Sequence, residues 1–288
     1  MLTVSVPAKL NLTLEVLARR QDGFHEVRSV IQTINLCDSL SFQSGQSIEF
    51  KSNLPSWIAK ESLVFKAASL LQQVTGCSQG ATIVVNKHIP LLSGLGGDSS
   101  DCAAVLRGLN RLWGLALSTG ELLELAWQLG SDVAFFFFGG TALVKGRGEV
   151  VTSLPPLSHS WIVLTIPPGR RLQGKTKQLF TSLKASHYTD GRITEKLVKE
   201  LKAGREFTPS LLFNTFENVA FTHFSDLTVS LEHILKAGAT DVHLAGSGPA
   251  LFTLVKDKNQ AEELHINLQR QRLESYLTDT LPAVELVE

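Results

Sequence analysis

From Val4 to Val16 the chain alternates without a break. Val4, Val6, Ala8, Leu10, Leu12, Leu14 and Val16 share one face, and Ser5, Pro7, Lys9, Asn11, Thr13 and Glu15 share the other. A period of two held this long predicts a strand with one face buried and one face wet. It sets Lys9 and Asn11 side by side on the polar face. Pro7 removes a backbone donor, which places that part of the strand at an edge or a bulge. A chain that starts this way has to build a sheet on its first residues, and more strand signal follows at 27–42 and at Ile48–Phe50.

The second strong feature is Pro90-Leu-Leu-Ser-Gly-Leu-Gly-Gly-Asp-Ser-Ser100. Gly94, Gly96 and Gly97 permit a sharp turn and close approach to a ligand. Cys102, Val105, Leu106, Leu109, Leu112 and Trp113 then recur at helical spacing, with Ser99 or Ser100 as candidate cap. A helix start offers unpaired N–H groups and partial positive charge, which suits a phosphate. The familiar phosphate loops do not fit. No Lys follows the glycines, and Ser99 stands where a dinucleotide fingerprint needs its third Gly. No cation lies within the loop itself.

Around these features strands and helices alternate. Helical pattern covers 61–74, 118–129, 174–185, 192–203, 211–236 and 258–272. Strand pattern covers 82–85, 141–145, 149–151, 161–166, the flanks of Ala245-Gly-Ser-Gly-Pro249 and a final segment at 283–287. Ser118-Thr-Gly-Glu121 is a capping box. The run Phe135–Phe138 reads as core. Leu154-Pro-Pro-Leu157 marks a boundary between two α+β domains, 1–155 and 156–288.

Lys plus Arg and Asp plus Glu both number 27, without a long basic run, so nucleic acid is not the expected partner. The apolar runs are too short to span a membrane. The N-terminus enters a strand at once, which leaves no room for a leader, and three unclustered cysteines suit a reducing cytoplasm. The eight His residues show no metal-ligand spacing. A monomer or weak homodimer is expected.

Taken together, Pro7-Ala-Lys-Leu-Asn11, the loop Pro90–Ser100 and Ala245–Pro249 resemble the three signature motifs of the GHMP kinase superfamily, which includes galactokinase, homoserine kinase and mevalonate kinase. The resemblance is closest to the branch that phosphorylates the 2-hydroxyl of 4-diphosphocytidyl-2-C-methyl-D-erythritol with ATP, in non-mevalonate isoprenoid synthesis. Asp22-Gly-Phe-His-Glu26, Gly130-Ser-Asp-Val133 and Asn214-Thr-Phe-Glu217 carry it.

The resemblance implies an α+β GHMP kinase fold. The first domain would be like ribosomal protein S5 domain 2, with a left-handed βαβ crossover, and the second ferredoxin-like. It implies Asp132 as base, Lys9 as electrostatic partner, and ATP with Mg²⁺. The nucleotide would lie on Pro90, Leu91, Leu92, Ser93, Gly94, Leu95, Gly96, Gly97, Asp98, Ser99 and Ser100. A substrate with a cytidine diphosphate moiety would meet Asn11, Phe24, His25, Thr176 and Phe180, with Phe24 and Phe180 sandwiching the base and His25 reading it. Ala245–Pro249 would close over the phosphates.

Three departures stand out. Asp98 and Leu92-Ser93 replace smaller residues of the family loop, and Ser62 stands where relatives carry Asn near adenine. Asp98 either points away from the phosphates or helps to hold Mg²⁺ or a loop N–H. Alternatives are a homoserine- or mevalonate-type kinase and a nucleotide sensor without turnover.

Overall fold

The computed structural model describes residues 1–169 and 174–283. The opening alternation is β1 (Leu2–Arg19), which pairs antiparallel along its length with β2 (His25–Gly45). The register shifts between Pro7 and Ala8, the bulge that a missing donor demands. Next, β3 (Ile48–Ser52), α1 (Leu63–Thr75) and β4 (Gly80–Asn86) form a βαβ unit, since β3 and β4 pair in parallel. The second half of β2 carries β4 and its first half carries β5 (Thr141–Gly146), which in turn pairs with β6 (Val150–Ser153).

Two further helices, α2 (Gly97–Leu112) and α3 (Thr119–Leu129), join α1 in one hydrophobic core with Phe42, Ile83 and the Phe run. Phe135, Phe136 and Phe137 are buried, as expected of core residues. The capping box of α3 forms in both directions: Glu121 N donates to Ser118 Oγ, and Ser118 N donates to Glu121 Oε2.

The second half of the chain contributes β7 (Trp161–Ile166), α4 (Lys175–Ser182), α5 (Arg192–Lys202), β8 (Phe213–Asn214), α6 (Glu217–His223), α7 (Ser225–Lys236), β9 (His243–Leu244), β10 (Leu251–Val255), α8 (Lys258–Arg270) and β11 (Glu274–Asp279), and most of its strands build a second sheet. The strand order β11-β7-β10-β9, with every neighbouring pair antiparallel, is the split βαβ arrangement of ferredoxin-like folds.

Three expectations change. The helical pattern at 211–236 is interrupted: β8 leaves the second half and pairs in parallel with β1 at Thr13 and Leu14. The last described strand is β11, which matches β7 residue for residue; of the expected final strand at 283–287, Ala283 is in no strand and 284–287 lie outside the described residues. Most importantly, the polar face of β1 is not wet. Lys9 is 4% exposed, Asn11 5%, and Thr13 and Glu15 0%. The second half docks there, and Thr194 of α5 donates to both Glu15 and Thr13. On the opposite face, Ala8, Leu10 and Leu12 pack with Ile162, Leu164 and Phe252, so the two sheets share a core.

Candidate active site

Lys9 and Asp132 meet as the resemblance implied. Lys9 Nζ lies 3.3 Å from Asp132 Oδ2 and donates to Asn11 Oδ1 at 2.7 Å. Asn11 Nδ2 donates to Ser29 Oγ, which donates to the carbonyl of Thr13. This chain of donors fixes which face Asn11 turns to the lysine. The lysine side chain is 5% exposed, whereas that of Asp132 is 38% exposed. The buried cation therefore holds a carboxylate that can still reach a ligand.

The loop Pro90–Ser100 lies next to them, tied to β1 by a bond from Lys9 N to Leu95 O. The expected serine cap does not form. Gly96, left-handed at φ +76°, is the N-cap of α2, and Ser100 Oγ donates instead to the carbonyl of Pro7. No side chain caps the first turn of α2, which leaves its N–H groups to an anion. A cavity of about 130 Å³ opens there, lined by Pro90–Gly94 and Gly96–Ser99. Asp98 lines it too, and burial raises its pKa. Ser62, the residue that stands in place of the relatives' Asn, donates to the carbonyl of Ala59.

One wall of this cavity was not foreseen. Lys87 rises behind the loop and donates to Asp38 Oδ2 and Asp101 Oδ2. All three side chains are at most 1% exposed. Asp38 Oδ1 also accepts the N–H of Ile89, whereas Asp101 Oδ1 is buried with no partner. Burial pushes Asp101 up to about 7, against the pull of Lys87. The Lys87 ammonium is held raised despite burial, because Asp101 and Asp38 both favour its charge.

The second half closes the other side. A Cβ on Gly94 would come within 2.1 Å of the Ala245 carbonyl oxygen, so only glycine admits this contact. Ala250 N donates to the carbonyl of Ser93, and Asn214 Nδ2 holds the carbonyls of Leu244 and Gly246. Gly246 sits over Lys9, where a Cβ would lie 3.1 Å from Nζ. From α4, Lys175 Nζ donates to the carbonyl of Leu92, and Thr176 Oγ1 is 2.7 Å from Ser247 Oγ.

Between these walls lies a cavity of about 310 Å³. Lys9, Asp132, Gly94 and Gly96 line one end, and Phe180, Phe216, Val27 and Leu14 give it an apolar side. Asn11 and Thr176 also line it. Phe24 does not. It is 52% exposed, with Arg147 over its ring at 4.8 Å, in a neighbouring cleft shared with Trp127. The ring stacked on Phe180 is that of His25, at 4.7 Å and 19°. The structure therefore corrects the expected sandwich: His25, not Phe24, faces Phe180. The turn Arg20–Phe24 explains this, because Asp22 Oδ1 accepts Phe24 N and leaves the Phe24 ring outside.

Sequence reasoning missed Ser29, Asp38, Lys87, Asp101 and Arg147. The partners of Lys87 come from β2 and α2, far away in the chain, and no local period announces them.

An anion loop at a helix start, a lysine–aspartate pair beside it and a second glycine loop closing over both describe a phosphotransferase acting on a small alcohol. The family model of the GHMP kinases N terminal domain matches residues 62–140, and that of the GHMP kinases C terminal domain matches residues 195–272. The chain is thus a GHMP kinase, an ATP-dependent small-molecule kinase. Within that class it belongs to the 4-diphosphocytidyl-2-C-methyl-D-erythritol kinase family. It is 48% identical to the enzyme of that name from Dehalococcoides mccartyi, over 98% of this chain and 99% of that one. With the one from Symbiobacterium thermophilum it shares 38% identity over 95% of this chain and 98% of that one. A crystal structure of 4-(cytidine 5'-diphospho)-2C-methyl-D-erythritol kinase superposes with a TM-score of 0.80 at 30% identity, covering 97% of this chain and 99% of the other. Mevalonate kinase from L. major, at 15% identity and a TM-score of 0.71, shares the fold. Among the described residues no helix is long and apolar enough to cross a membrane.

Proposed function

We propose that this kinase transfers the γ-phosphoryl group of ATP to the 2-hydroxyl of 4-diphosphocytidyl-2-C-methyl-D-erythritol, with Asp132 as base and Lys9 as its partner. The observation that carries the reading is the Lys9–Asp132 pair at one end of a cavity that it shares with the glycine loop. Residues 1–155 would carry the nucleotide and the chemistry, and 156–288 would close the site.

The transferring group carries much charge and needs little covalent help, so positioning and neutralisation dominate. The loop would bind phosphate oxygens through the N–H groups that begin α2. The acceptor hydroxyl would lie against Asp132. As its oxygen bonds to phosphorus, the bond to the β-phosphate oxygen breaks, the hydroxyl proton passes to a carboxylate oxygen of Asp132, and ADP leaves. Lys9 opposes the negative charge that builds on the attacking oxygen. Asn11 keeps the Lys9 ammonium aimed at Asp132.

Mg²⁺ suits the cavity beside the loop. It takes one or two carboxylates plus phosphates and keeps several waters, and Asp98 and Ser99 both line that space. Asp98 would hold it with the phosphates, and the ion would neutralise charge on them. Phe180 and His25 offer stacking rings for a cytosine, which would stack beside them.

The test is ATP consumption by the purified chain with 4-diphosphocytidyl-2-C-methyl-D-erythritol, homoserine or mevalonate offered singly. Turnover is expected with the first and not with the others. Preference for homoserine or mevalonate would overturn the substrate assignment.

A further inference from the structure

We propose that Arg147 binds the diphosphate of the acceptor, so that the chain selects its substrate by that charged bridge as well as by its base and its alcohol. The proposal rests on the substrate reading above and names a specificity residue for it.

Position is the first argument. Arg147 stands in the turn between β5 and β6. It lines the cavity that holds Lys9, Asp132 and Phe180, and it also lines the cleft of Phe24 and Trp127 beside that cavity. The acceptor has its reacting alcohol at Asp132 and its base at Phe180 and His25. The diphosphate joins those two parts and lies in the stretch of cavity between them. Arg147 lines this cavity and not the one beside the glycine loop, so the acceptor rather than the nucleotide meets it.

The second argument is the supply of donors. Lys9 and Lys87 are committed to carboxylates. Among the described residues the Arg147 guanidinium makes no hydrogen bond or ion pair; its contact is the Phe24 ring, 4.8 Å from it. The carboxyl groups nearby are engaged in other ways. Asp22 pairs with Arg20, and Glu149 accepts the backbone N–H of Arg147. An aromatic face leaves the N–H donors of a guanidinium to other partners, and their planar fork fits two phosphate oxygens.

The third argument is that the turn holds this side chain in place before a ligand arrives. Gly146 and Gly148 take positive φ, +74° and +120°, and Glu149 pins the N–H between them. A Cβ on Gly148 would come within 2.8 Å of Ser131, so the turn lies directly on the residue before Asp132. A donor fixed in this way loses little freedom on binding.

Calorimetry with cytidine 5'-diphosphate and with cytidine tests this, on the wild type, Arg147→Gln and Arg147→Lys, with ADP filling the nucleotide site and ADP affinity measured separately. The wild type should prefer the diphosphate. Arg147→Gln should shrink that preference by about 10–100-fold, the scale of one charge-assisted hydrogen-bonding group, and Arg147→Lys should recover part of it. Cytidine and ADP should bind both variants about as tightly as they bind the wild type. An undiminished preference in Arg147→Gln would overturn the role of Arg147 and leave the substrate reading standing. Loss of ADP affinity would give the arginine to the nucleotide, and equal losses for cytidine and its diphosphate would show that it only supports Phe24; either overturns the proposal. A wild type that binds neither cytidine compound would overturn the substrate reading, and the proposal with it.

Discussion

Two lysine–aspartate clusters flank the glycine loop, and they differ in everything except their residue types. In front of it, Lys9 meets one carboxylate, Asp132, which is more than a third exposed to the cavity. Behind it, Lys87 meets two carboxylates, Asp38 and Asp101, sealed from solvent. The front pair is balanced in charge and open on its acidic side, which suits a group that accepts a proton from a ligand. The rear cluster sets two carboxyl groups against one ammonium and cannot reach any ligand through Asp38 or Asp101. Its work is to join β2, the end of β4 and the first turn of α2 where the loop must keep its shape. Exposure and the number of carboxyl groups, rather than residue type, separate the pair proposed to react from the sealed one.

That contrast can be broken most easily at Lys87. Replacing it by Met leaves two buried carboxylates without their cation, and loss of one partner of a buried pair costs about 3–5 kcal/mol. Lys87→Met should therefore lower the denaturant midpoint steeply, and the loss should shrink in acid, where protonation relieves the carboxylates. A midpoint near the wild-type value at pH 8 would contradict the supporting role. Lys9→Met is the converse. It should lower kcat by about 10²–10³-fold, the scale for one preorganised charge at the reacting centre. The fold should stay sound, with ADP affinity close to normal.

A smaller effect separates the clusters by pH. Asp101, near 7 in the fold, stays protonated over a range in which the unfolded chain, with an ordinary Asp near 4, has already released its proton. Its contribution to stability is present below about pH 4 and is lost as pH rises through about 7, then levels off. The slope for one proton cannot exceed about 1.4 kcal/mol per pH unit. Asp101→Asn removes the titrating group, so chemical denaturation from pH 5 to pH 8 should fall less steeply in the variant than in the wild type. Identical slopes would mean that Asp101 is ionised throughout.

What could be read from the residues follows the range of the interaction. The capping box at Ser118 and Glu121 spans one turn, and it forms as read. The alternation that puts Lys9 beside Asn11 is equally local, and those side chains touch. The burial of that face was not legible, because Thr194 comes from a helix late in the chain. The same holds for β8, a two-residue strand whose existence depends on β1 accepting it, and for Lys87, whose partner Asp38 lies on another strand. Ser100 looked like a cap and is drawn away by the Pro7 carbonyl, a bond that exists only after β1 and α2 pack. The pair Phe24-His25 was legible as a unit, but that the His25 ring is the one facing Phe180 was not.

The central claim is that Asp132, held by Lys9 beside the loop, takes the acceptor's proton. Asp132→Asn tests it most directly, because the amide keeps the shape and removes the basic oxygen. Turnover of the cytidine-diphosphate substrate should fall by about 10²–10⁴-fold, the range for a positioned general base, while ADP binding measured by calorimetry stays near the wild-type value. Near-normal turnover in that variant would contradict the account.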